Sequence, residues 1–196
     1  SIREAWRLFE NDKNLRRFVT VRSANSAIAL IQPIYVVLAA DRLGFSFSGL
    51  GTLLIASAGA ALLSSWVWGR LSDRSSKRVL EIAPFLGVVV GLLFLLLPMI
   101  GDLSNSAFAQ GLLLFLHNIC YAGARIGRKA YLVNASDESN RALAVAGANT
   151  TIGVVTLILS GSVSAVTAMA GAEAAALLLL LLLSLGGVAA LGLEDL

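Results

Sequence analysis

A few polar side chains stand inside an otherwise apolar chain, and their spacing is helical. Arg22, Asn25, Ala29 and Gln32 follow one face of one apolar run, while Gln110, His117 and Tyr121 follow one face of another, with Asn118 and Cys120 beside them. Carboxamides, an imidazole and a phenol can hydrogen-bond a polar solute and hand it from one partner to the next. His117 is the single histidine, and an imidazole titrates near neutral pH, which would suit proton coupling. Inside a bilayer such groups are costly unless they face a partner or a water-filled cavity. Asn25, Gln32, His117, Asn118 and Tyr121 are therefore the candidates for substrate contact. The competing reading is hydrogen bonding between helices, which contributes on average about 0.6 kcal/mol per pair in membranes. For Arg22, snorkelling to the inner surface is the reading preferred over an anion contact.

Covalent chemistry fits these residues poorly. Ser160, Ser162 and Ser164 invite comparison with an intramembrane serine protease, but GSVS lacks the second glycine of a nucleophile turn, and His117 precedes these serines. Cys120 near His117 has no evident oxyanion donor. No Asp or Glu sits in the middle of an apolar run, which argues against a carboxylate proton relay. One cysteine excludes an intrachain disulfide, and the chain offers no metal cluster. Neither catalysis, a cofactor nor a metal is expected.

The elements that must position the polar residues are membrane spans. Hydrophobic residues make up 57% of the 196, charged residues 14%, and the mean hydropathy is +0.82; soluble domains run near about 45–50% and about 25%. Residues 174–193, AAALLLLLLLSLGGVAALGL, carry no charge. Twenty helical residues span roughly 30 Å, the thickness of a hydrocarbon core. Six such runs are read at roughly 18–40, 49–69, 79–100, 107–126, 142–168 and 174–193. The expected fold is an all-α integral membrane bundle.

Fourteen of the fifteen Lys and Arg residues fall in or beside 1–22, 70–78 and 125–141; only Arg42 falls on the other side. Lys and Arg concentrate in cytoplasmic loops, so both termini are expected in the cytoplasm. Bases scattered between apolar spans do not form a nucleic-acid-binding face. Residues 1–17, SIREAWRLFENDKNLRR, read as an amphipathic cytoplasmic segment or a plain juxtamembrane linker.

The six spans fall into kinds. Spans 1 and 4 are polar on one face. Spans 2 and 5 are rich in small residues such as Gly51, Ser57, Ala61, Gly147, Gly153 and Gly161, which let helices approach closely. Spans 3 and 6 are nearly all apolar, and most of their surface is expected to face lipid. The order polar, small, apolar occurs twice, as in a 3+3 inverted repeat.

One stretch remains, GRLSDRSSKR at 69–78, where four bases and one acid separate two apolar runs. It resembles the signature of the loop between spans 2 and 3 in the major facilitator superfamily. Gly69, Asp73, Arg74, Lys77 and Arg78 match, and Ser76 stands where that family has a second glycine. Glu138, Ser139 and Arg141 are a weaker echo of a second family motif after span 4, without its prolines.

The resemblance implies half of a twelve-span fold. In each half the first and fourth helices line the cavity, the second and fifth meet the other half, and the third and sixth are peripheral. ENDKNLRRF before span 1 resembles the entry to a C-terminal half. The partner would be the missing N-terminal half or an identical copy. Asp73, Arg74, Lys77, Arg78, Glu138 and Arg141, with Gly69, would latch the cytoplasmic side. The expected function is secondary transport of a small solute by alternating access in a bacterial plasma membrane. The alternative is a non-transporting scaffold or receptor subunit.

Overall fold

A computed structural model describes residues 12–44, 47–136, 138 and 141–195. The described residues form six spans and no strand. Span 1 consists of α1 (Lys13–Asn25) and α2 (Ala27–Arg42). Span 2 is α3 (Phe47–Arg74), and span 3 is α4 (Ser76–Leu96) continued by a 3-10 segment, Leu97–Asn105. Spans 4, 5 and 6 are α5 (Ala107–Asn134), α6 (Arg141–Ala170) and α7 (Ala172–Ala190). Of the amphipathic segment read over 1–17, residues 1–11 lie outside the described residues. Lys13–Arg17 open α1, and Leu15 is already buried.

Local chemistry sets the breaks. The Asp12 carboxylate accepts from the Leu15 N–H at 2.9 Å and caps α1. Span 1 tightens at Ser26, whose hydroxyl donates to the Ser23 carbonyl at 2.6 Å, and Pro33 removes one further backbone donor in α2. Gly101, at φ 66°, breaks the end of span 3, and Gly171, at φ 88°, is the single residue between α6 and α7.

GRLSDRSSKR is not the open loop expected. Helix α3 runs through Gly69 and Asp73 to Arg74, and α4 starts at Ser76. Ser75 alone separates them, extended, with its hydroxyl accepting from the Arg78 N–H at 3.3 Å. Bases and serines extend both helices where the family's second glycine would break them, and a serine N-cap needs only one residue.

Span 4 is the hub. Span 2 packs along it, and span 3 lies between spans 4 and 6. The Trp68 indole lies against Gly123, and its N–H donates to the Ile119 carbonyl at 2.8 Å. Asn118 donates to the Ser57 hydroxyl at 3.1 Å. Gly87 and Gly91 on span 3 receive Leu183 and Leu180 of span 6, a small-xxx-small contact. At the far end, the Arg42 guanidinium donates to the Phe94 carbonyl at 3.1 Å, covers the Phe94 ring, and meets Glu173 at 3.8 Å.

Exposure ranks the spans. Spans 3 and 6 each bury one face, 44% and 39% of their most apolar windows, and leave the larger part open to lipid. Spans 2 and 5 are the open ones, at 17% and 6%. Span 5 touches span 6 and α1, and hardly meets α2. It stands off where its counterpart in the repeat, span 2, packs closely on span 4.

Candidate functional site

The stand-off of span 5 leaves a cavity of about 180 Å³ against spans 1 and 4. From span 1 come Arg22, Asn25 and Ala29, from span 4 Tyr121, Arg125 and Arg128, and from span 5 Thr156. Each group follows from helical spacing: residues 22, 25 and 29 lie on one face, as do 121, 125 and 128.

Asn25 is 6% exposed, and neither polar atom of its amide has a hydrogen-bond partner. The amide sits over Gly186 of span 6, where any Cβ would displace it. Arg22 donates to the Asn149 side-chain oxygen on span 5 at 2.7 Å, and its Nε is buried without a partner. The Arg125 guanidinium lies 5.9 Å from the Tyr121 ring centre. No carboxylate lines the cavity among the described residues.

The polar residues read from the sequence divide. Asn25 and Tyr121 line the cavity, and Gln32 does not. Asn118 is engaged by Ser57 on span 2 and by the Leu114 carbonyl at 2.9 Å. His117 is fully buried, edge-on to Tyr35 with ring centres 5.0 Å apart, and Tyr35 stacks on Phe94 at 4.3 Å. Neither imidazole nitrogen has a partner in hydrogen-bonding geometry; the Ile28 carbonyl is the backbone group that it faces. Arg125 and Arg128 were absent from the sequence reading, which placed them among the orienting bases of an inner loop. Helix α5 continues through both of them to Asn134. Their spacing from Tyr121, four and seven positions, was the available signal.

At the base-rich end, Asp73, Arg74, Arg78 and Glu138 are exposed. Lys77 pairs with Glu81 at 3.8 Å, one helical turn on. Arg141 donates to the Ser136 carbonyl at 3.4 Å. Among the described residues no ion pair joins Arg74 or Arg78 to Glu138. The same end is tied by Tyr131, whose hydroxyl donates to the Asn14 side-chain oxygen at 2.8 Å, with the Glu194 carbonyl 3.1 Å away. Ser75 donates to the Asp195 carboxylate at 2.9 Å.

Residues 20–195 match the family model described as Major Facilitator Superfamily. The chain belongs to the Major Facilitator Superfamily. No curated protein and no solved structure matches it. As a superfamily chain with six apolar helices, it is a multi-pass integral membrane protein of transporter type. Its six spans are a half-size unit of that fold, and superfamily members move solutes rather than transform them.

Proposed function

We propose that the chain is one six-span half of a secondary transporter that carries a small solute by alternating access. Its termini and base-rich end face the cytoplasm of a bacterial cell. Spans 2 and 5 seat a second six-span unit, supplied by an N-terminal half or by an identical copy.

One observation carries this reading: the distribution of glycines. Gly87, Gly91, Gly111, Gly123, Gly127 and Gly186 on spans 3, 4 and 6 all press against neighbouring helices. Gly51, Gly69, Gly153 and Gly161 on spans 2 and 5 have nothing within 4 Å of the place a Cβ would take, whereas Gly59 of span 2 faces Phe115 of span 4 at an ordinary 3.6 Å. Glycines lower helix stability unless they serve close approach, and a second unit gives these four that use. It would also close the cavity beside span 5. Asp73, Arg74 and Arg78, exposed and without an ion-pair partner among the described residues, would latch against it. Isolated exposed pairs contribute about 0–1 kcal/mol each, so the latch would work as a network with Lys77, Glu138 and Arg141.

The test is accessibility from both sides. Ala29 lines the cavity, so Ala29→Cys in a Cys120→Ala background is treated with a membrane-impermeant maleimide in oriented vesicles. Alternating access predicts labelling from either face. Labelling from one face only, or from neither, fits a fixed scaffold and contradicts transport by this route.

A further inference from the structure

The cavity carries an uncompensated charge. Three arginines, Arg22, Arg125 and Arg128, line about 180 Å³, and no acid among the described residues lines it with them. Arg22 and Arg128 are close enough to repel one another. Among the described residues only Arg22 of the three has a hydrogen-bond acceptor, Asn149, and that acceptor is neutral. Each guanidinium offers five N–H donors in a rigid fork that fits a carboxylate or phosphate with two parallel hydrogen bonds. Orienting bases need only water at the membrane surface. These instead converge on one concavity beside Asn25, which is more than nine-tenths buried with both polar atoms unused.

We propose that this cavity binds a small solute through a carboxylate or phosphate group, held by Arg22, Arg125 and Arg128, with Tyr121 as a neutral contact and Asn25 in the wall behind them. That this solute is the transported substrate rests on the transport reading above; binding itself does not. Size limits the ligand. Pockets for drug-sized ligands measure about 300–1,000 Å³, whereas a cavity of about 150 Å³ takes one benzene ring. The cavity suits inorganic phosphate or a short dicarboxylate, and it is too small for a nucleotide. Thr156 places span 5 at its rim, so an anion there would draw span 5 toward spans 1 and 4.

The experiment is calorimetric titration of the purified protein in nanodiscs of pure phosphatidylcholine, with inorganic phosphate and with succinate as probes. At least one probe binds, and Arg128→Gln weakens it tenfold or more. Arg125→Gln, at the most exposed of the three positions, does the same if Arg128→Gln fails to fold. Arg70→Gln removes an equal charge that lies over the Trp66 ring, and it leaves the affinity unchanged. Absence of binding by either probe overturns the inference, as does equal weakening by Arg70→Gln. If neither probe binds and added phosphatidylglycerol alone protects the Ala29→Cys thiol, the site holds a lipid headgroup and the solute reading falls. Ala29→Cys labelling from both faces without anion binding would leave transport standing and remove only this inference. Anion binding with labelling from one face would do the reverse.

Discussion

The Arg22 guanidinium on span 1 donates to the Asn149 side-chain oxygen on span 5 at 2.7 Å. Span 5 otherwise hardly meets α2, the part of span 1 beyond Ser26. The bond therefore adds one polar tie beside the cavity to the packing of span 5 on span 6 and α1. Asn149→Leu should lower stability only slightly, on the order of 0.6 kcal/mol. It should also speed labelling of Ala29→Cys from the base-rich side. An unchanged labelling rate would show that span 5 is positioned by something else.

The glycines divide into two predicted classes. A Cβ at Gly123 would lie 2.6 Å from the Trp68 ring and 2.9 Å from Ala83, so Gly123→Ala should destabilise by about 1–3 kcal/mol. Gly153→Ala meets open space inside a helix and should raise the melting temperature of the six-span unit slightly, by about 0.5–1 kcal/mol of stability. Gly161→Trp should also leave it folded, yet abolish association with the second unit. Equal melting losses at positions 123 and 153 would contradict this division.

Asn118 holds span 4 to span 2 through Ser57. A double-mutant cycle with Asn118→Ala and Ser57→Ala should return a coupling near 0.6 kcal/mol. Anion affinity should not change in either variant, because Asn118 is outside the cavity lining. A loss of affinity in Asn118→Ala at unchanged stability would restore Asn118 to the substrate path.

Asp73 is exposed two residues before the Ser75 break. Asp73→Asn should alter the transport rate without changing membrane insertion or melting temperature. Rates equal to the parent at equal abundance would remove the latch role.

The spans were legible because an uncharged run of about twenty residues has few homes other than a bilayer. Asn25 and Tyr121 were legible because helical spacing brought them to faces that do meet at a cavity. His117 shares a helical face with Tyr121, yet the rings of Tyr35 and Phe94 fill the space beyond it. Spacing gives a direction around one helix and says nothing of what stands opposite. Arg125 and Arg128 were hidden for a related reason. Hydropathy ends a span at the first charges, whereas α5 keeps its backbone hydrogen bonds to Asn134 and carries both arginines along the cavity face. The exposure of spans 2 and 5 was legible through the family resemblance, which has the second and fifth helices meet the other half, and not through their composition, because the same small residues serve a packed helix and one awaiting a partner.

The central claim is that protein, rather than lipid, covers spans 2 and 5. Spin labels at Ala61→Cys and Gly161→Cys probe those faces, and Leu86→Cys and Leu185→Cys probe exposed positions on spans 3 and 6. Oxygen dissolves in the hydrocarbon, so its collision rate with each label in liposomes reports lipid contact. The account predicts low rates at positions 61 and 161 and high rates at 86 and 185. Equally high rates at all four would mean that lipid bathes spans 2 and 5 and that no second unit sits there.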